Sequence, residues 1–378
     1  MIHSFCVFLT QRDLARAAAT CRRWRFLSMQ PSLWTRIDAR ELGVCEDKHV
    51  EQLLATHGAS VQALVVQPHV QLSDRTLRVL ARFAHSLESL VLAFQEMISS
   101  SVLADALSSL HGLRELRLVG SANAVTDCVL SVVATMPRLR CLNVRQCAVV
   151  TEAGLEALAA GPAAASLEEV DIAGVPGLPS SGVARLAARL PRLRQLVAEN
   201  GAFWDDAALG VVASGCSRLE RLTLGASDPF LGGSRVTDAG LRQLARSPLA
   251  LHLRSLSLRG AAQVTDAGVR DLVASLPRLE ALDLSGCFGL SAAGLRDLAR
   301  ALPATATHVA LNDCTSFNSD DVAAFVRLLS ERRASASHAR EAKVDCQWCP
   351  GVTQTGLDEA TRRMGLDQEQ AALVRVYT

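Results

Sequence analysis

Aromatic residues are scarce in this sequence, with one Tyr, four Trp and ten Phe among 378 residues. An interior with so few rings must be filled by Leu, Val and Ala, which suits thin repeated layers better than one bulky globular centre. The chain also lacks a dominant charge. Its 39 basic and 38 acidic residues leave a formal net charge of +1, so no global field draws it to nucleic acid or to an anionic membrane. No apolar run approaches the roughly 20 residues that a membrane helix needs. The apolar start, Ile2 to Leu9, has no basic flank and reaches Gln11, Arg12 and Asp13 too soon for a usual signal core. There is no Asn-x-Ser/Thr acceptor, and the eleven cysteines are an odd number spread along the chain, which reads as free thiols in a reducing compartment. These features lead us to expect a soluble protein of the cytoplasm or nucleus, with no membrane or nucleic-acid partner.

Catalytic signatures are missing too. The nine His show no HxxxH spacing, and neither a P-loop, a GxSxG nor a strand-following GxGxxG occurs. Cys346-Gln347-Trp348-Cys349 has the spacing of a redox or zinc site. Its place in the repeat described next assigns both thiols to buried packing positions instead. No cofactor, metal or catalytic group is expected, and the chain reads as a binding protein and not as an enzyme.

What is abundant is a repeat. An LxL pair opens each copy, at Leu64, Leu90, Leu116, Leu142, Val170, Leu196, Leu222, Leu256, Leu282, Val309 and Val344, mostly 26 residues apart. Longer intervals hold insertions, Asp228 to Ser234 and Arg332 to Lys343. The alternation has period two, so each pair predicts a short strand with its leucines inward. Thirteen residues after the first apolar position comes another, as at Leu155, Leu209 and Leu295, which opens a helical stripe. Thr126, Thr151, Thr237, Thr265 and Thr353 mark the helix starts as expected caps. Gly154, Gly182, Gly240, Gly268, Gly294 and Gly356 follow at a fixed offset, either to let the helix approach its neighbouring layer or to meet a left-handed backbone. One copy cannot bury enough to fold alone, so the copies must stack and be capped.

LxLxxC followed by VTDAGLxxL resembles the cysteine-containing class of leucine-rich repeats, over about four-fifths of the chain. The resemblance implies an α/β fold, a curved right-handed solenoid with parallel strands inside and helices outside. Ahead of it, Phe8, Leu9, Leu14, Cys21, Trp24, Leu33 and Trp34 follow an order that resembles the F-box. That family binds an SKP-type adaptor and through it a cullin-RING ubiquitin ligase, so those seven residues become the expected adaptor contacts. The alternative is that both tryptophans only seal the end of the repeats. The family's opening Leu-Pro-x-Glu would lie before Met1. Either the chain starts at an internal Met, or the segment has kept its core and lost docking. We expect an all-helical F-box-like segment over 1–45, a solenoid of about eleven repeats over 46–365 and a tail or cap over 366–378.

Eleven parallel strands would make an inner face about 50 Å long, enough for a protein partner. From the register, Arg117, Arg145, Asp171, Glu199, Arg221, Arg259 and Asp283 are expected on it as target contacts. The implied function is substrate recognition for an SCF-type ligase, by a monomer within a hetero-complex. The competing expectation is a scaffold or inhibitor-like binding protein with a vestigial F-box. Phe203, Trp204 and Phe230 fall in turns, where they supply either an anchor or loop filling.

Overall fold

The computed structural model describes residues 9–44, 46–199, 204–225, 234–334, 343–366 and 374–375. Two compact units divide the chain, residues 1–175 and 176–378. The first holds β1 (Arg36–Asp38), β2 (Ala63–Val66), β3 (Ser89–Leu92), β4 (Glu115–Arg117), β5 (Cys141–Asn143) and β6 (Glu169–Asp171). The second holds β7 (Gln195–Glu199), β8 (Arg221–Gly225), β9 (Ser255–Arg259), β10 (Ala281–Asp283), β11 (His308–Ala310), β12 (Lys343–Asp345) and β13 (Val374–Arg375). In each unit the strands pair in chain order, all parallel, with the repeat leucines in one row. That row is Ile37, Leu64, Leu90, Leu116, Leu142 and Val170 in the first. In the second it is Leu196, Leu222, Leu256, Leu282, Val309, Val344 and Val374.

A helix follows nearly every strand and packs on the helix of the next copy. Each unit is thus a leucine-rich-repeat solenoid. The sheet reaches beyond the eleven copies at both ends. The segment expected to be all-helical contributes β1, because Arg36-Ile37-Asp38 alternates about a single inward residue too short for the repeat pattern to reveal. At the other end β13 continues the ladder from β12. No helix among the described residues is long and apolar enough to cross a membrane.

The Thr-Asp pairs link neighbouring copies. Asp127, at the start of one helix, accepts from the Thr151 N–H at 2.8 Å and its hydroxyl at 2.6 Å. Asp206 does the same for Thr237, Asp238 for Thr265 and Asp266 for Ser291. A carboxylate at a helix N-terminus is favoured by the free N–H groups there, and each such bond to a charged acceptor contributes about 1.5–3 kcal/mol. Thr151, Thr237 and Thr353 also cap their own helices as expected. Thr126 and Thr265 stand at helix starts without making that bond. The clamp explains the glycines. A Cβ on Gly154 would come within 2.5 Å of Asp127 Oδ1, and one on Gly294 would collide with Asp266. Both glycines are helical and have no positive φ, so close approach is the reason for them and a left-handed backbone is not.

Candidate binding surfaces

Local signals set the bounds of the N-terminal helices. Thr10 caps α1 (Gln11–Thr20), accepting from the Asp13 N–H, while its hydroxyl donates to Asp13. Leu14 is the buried residue of that helix. It meets Trp34 in one apolar cluster with Leu9, Trp24, Leu27, Leu33, Leu42 and Leu53 packed around the pair. Trp34 donates its indole N–H to the Ser28 carbonyl at 2.6 Å and stacks on His57, ring centroids 4.4 Å apart. Burial holds the His57 pKa below the usual histidine range.

Of the seven expected adaptor contacts, Leu14 and Trp34 are therefore turned inward and offer little side-chain surface. Leu9, Trp24 and Leu33 are partly buried against them. Cys21 is exposed, and Phe8 lies outside the described residues. The exposed apolar side chains here are two that the sequence did not single out, Phe26 at 70% and Met29 at 41%. Phe26 lies on α2 (Arg22–Ser28) and Met29 closes it, with Arg22, Arg23 and Arg25 exposed on the same helix. A helical reading of this segment with Trp24 placed inward would have found Phe26 two residues away, on another side.

On the strand faces the expected contacts point outward but are not loose charges. In the first unit, Arg117 Nε donates to Glu115 Oε1 at 2.6 Å and Ser89 donates to the other oxygen. Burial opposes both charges, yet the pairing wins, holding Glu115 low and Arg117 high. Asp171 accepts from Asn143 Nδ2 at 2.9 Å and from the Ala173 N–H. Burial nevertheless raises its pKa, against the pull of that N–H and of Arg145 nearby. Arg117 is thus paired with Glu115 and Asp171 with Asn143, and the charges of Arg145 and Arg117 both act on Asp171.

In the second unit, Asp283 accepts from Ser257 at 3.0 Å and from the Ser285 N–H. Arg259 donates to Asp313 at 2.7 Å. Arg221 opens β8 and is exposed, and Glu199 and Arg259 flank Gly225 in register. Trp204 is fully buried, its indole donating to the Ala198 carbonyl, so it fills its loop and is no anchor. Phe203 and Phe230 lie outside the described residues. The exposed aromatics of the strand-end turns are Phe94 at 42% and Trp348 at 69%. Both stand four residues after the leading apolar position of their strand, a place where Gly120, Gly174, Gly260 and Gly286 also fall. That recurrence was the signal available in the sequence.

The cysteine positions serve the fold. Cys147 donates to the Leu118 carbonyl of the preceding copy at 2.9 Å, as Cys287 does to Leu258, Cys314 to Leu284 and Cys349 to Leu311. Burial pushes the Cys147 and Cys314 thiols up to about 12 and raises Cys287, Cys346 and Cys349 as well. Thiols held protonated are poor nucleophiles and poor metal ligands. Among the described residues no group of three or more His, Cys, Asp or Glu is placed to hold a metal ion.

Residues 2–40 match the model of the F-box-like family. A solved chain from the yeast Rad7 and Elc1 complex shares the fold over 87% of this chain and 85% of its own, with a TM-score of 0.56 and 17% identity. An internalin of Listeria monocytogenes aligns over 89% of this chain and 86% of that one, at a TM-score of 0.47 and 17% identity. A leucine-rich-repeat protein of Leptospira interrogans aligns over 96% and 98%, at 0.46 and 12%.

Proposed function

We propose, from the premise that this chain belongs with the F-box and leucine-rich-repeat proteins, that it is the substrate-recognition subunit of an SCF-type ubiquitin ligase. Its N-terminal helices dock an SKP-type adaptor, and through it a cullin complex. Its strand face holds the protein to be modified. Transfer chemistry belongs to the recruited subunits, so this chain supplies position and not catalysis. The cytoplasm or nucleus, where such complexes act, is its proposed location.

One observation supports the docking half above the rest. Phe26 and Met29 expose large apolar surface beside three arginines, on a helix whose neighbour is already pinned by the Leu14 and Trp34 cluster. Exposed aromatic surface ringed by arginine is the composition of an interface anchor. Copurification of the full chain with an SKP-type adaptor tests this. The wild type is expected to retain the adaptor. Phe26→Ala with Met29→Ala is expected to weaken capture at least tenfold without lowering the melting temperature, since neither side chain is in the core.

A second reading, a scaffold whose repeats alone bind, draws support from the inward placement of Leu14 and Trp34, which spends two family positions on the chain's own core. A wild-type chain that fails to retain the adaptor while still capturing a protein partner would favour it.

A further inference from the structure

We propose that the second unit carries a docking ridge for an acidic protein segment, formed by Arg192, Arg218 and Arg278 in the turns that lead into β7, β8 and β10. The ridge precedes the strands and shares no residue with the adaptor or strand-face contacts, so it goes beyond the function proposed above.

Backbone pairing puts these residues in one row. The Glu220 N–H donates to the Arg194 carbonyl at 2.8 Å, the Arg254 N–H to that of Glu220 at 2.8 Å and the Glu280 N–H to that of Arg254 at 2.6 Å. Arg192, Arg218, His252 and Arg278 each stand two residues before a member of that series, and all four are exposed. Adjacent copies are about 4.8 Å apart, so Arg192 and Arg218 are neighbours and Arg278 follows about 10 Å further on.

The fold itself uses a different side chain at this position. Ser166 stands there in another copy and donates to the Leu139 carbonyl one copy back at 2.7 Å, while Ser86 reaches that of Val61 at 2.9 Å and Thr305 that of Leu279 at 2.7 Å. A short hydroxyl thus ties adjacent copies together. The three arginines make no such tie: among the described residues their side chains have neither a hydrogen bond nor an ion pair. The next row has no acid to spare. Arg194 and Arg254 share Glu220, and Arg254 also pairs with Glu280. That row is neutral as a whole, which leaves the charge of the three guanidinium groups unmet.

Such a ridge attracts an anion, and its spacing selects the kind. Alternate residues of an extended chain lie about 6.7 Å apart on one side, so three acids in alternation span about 13 Å, close to the ridge's own length of about 14 Å. A guanidinium takes a carboxylate through two N–H groups at once. Nucleic acid suits the ridge less well: it has no Phe, Tyr or Trp on which bases could stack, and Glu220 and Glu280 beside it repel a continuous run of phosphates.

The full chain can be titrated into dye-labelled Gly-Glu-Gly-Glu-Gly-Glu-Gly and followed by fluorescence anisotropy at low salt, with the glutamine counterpart and a single-stranded oligonucleotide as comparisons. We expect saturable binding of the glutamate peptide that weakens as salt is raised. Arg192→Ser, Arg218→Ser and Arg278→Ser together are expected to weaken binding about tenfold, as the loss of three exposed charge pairs would. The same variant is expected to leave the melting temperature unchanged or raised, since serine is the residue that ties copies together at this position. Equal binding of the glutamine peptide, no binding of the glutamate peptide, tighter binding of the oligonucleotide, equal binding by the triple variant or a triple variant that melts earlier would overturn the proposal. Adaptor capture is a separate measurement, so loss of the ridge leaves the ligase reading standing, and loss of adaptor capture leaves the ridge standing.

Discussion

The N-terminal helices and the repeats are held together in opposite ways. The helices of residues 9–34 close on one apolar knot, Leu14 against Trp34, with an indole hydrogen bond to the Ser28 carbonyl and a ring stack on His57. The repeats use one small device many times, a carboxylate clamped to the next Thr or Ser and a thiol bound to the preceding carbonyl. A unique contact concentrates risk, whereas a repeated one spreads it. Damage to the knot should therefore be severe and confined to the N-terminal segment. Damage to one clamp should be moderate and shared with its neighbours.

Trp34→Ala is the hardest test of that contrast. Removing a buried indole costs about 3–5 kcal/mol. Hydrogen exchange is expected to rise across Gln11–His57 while the amides of β8 to β11 stay protected. Loss of protection throughout would show that the knot and the repeats melt as one. Gly294→Ala comes next, at about 1–3 kcal/mol for the collision with Asp266. Pairing it with Asp266→Ala should recover part of the loss, because the two lesions share one contact. Additive losses in urea melts would mean that the clamp is not what the glycine accommodates.

The mildest effect is on pH. The folded His57 has a pKa below its unfolded value of about 6.5, so the unfolded chain binds more protons in that window and stability rises with pH there. The contribution is complete above about 6.5 and is lost as pH falls toward the folded value. His57→Phe should flatten this slope in urea midpoints compared at mildly acidic and neutral pH. An unchanged slope would place the titration elsewhere.

Much of this fold was legible because it is written in residue types at fixed spacing. Leu142, Val144 and Leu155 announce strand and helix by period alone, and parallel pairing follows from the regular interval. β1 was not legible, since one inward Ile37 between Arg36 and Asp38 makes no pattern. The Thr-Asp pairs were read as caps, which is half of their role. The other half joins Asp127 to a residue 24 positions away and becomes visible only when the copies stack. On the surfaces, outwardness of Arg117, Arg145 and Asp171 was readable, but their engagement with Glu115 and Asn143 was not, because side-chain pairing is decided by rotamer and burial. The tryptophans divide the same way. Trp204 follows a strand end, where nothing local says that it turns under Ala198, whereas Trp348 sits in strict register with four glycines and could have been placed from that alone.

The clamp from Asp238 to Thr265, and again from Asp266 to Ser291, has a direction: each copy offers the acid and its successor brings the hydroxyl. A duplicated stretch inserted in this part of the chain would arrive with both halves already matched, so the gene could lengthen the protein there without inventing a new contact. Pro179 has neither hydroxyl nor N–H, and Gln354 stands where the carboxylate would be. Copies bearing those residues cannot be multiplied on the same terms, which confines such growth to the stretches whose acids and hydroxyls remain in phase.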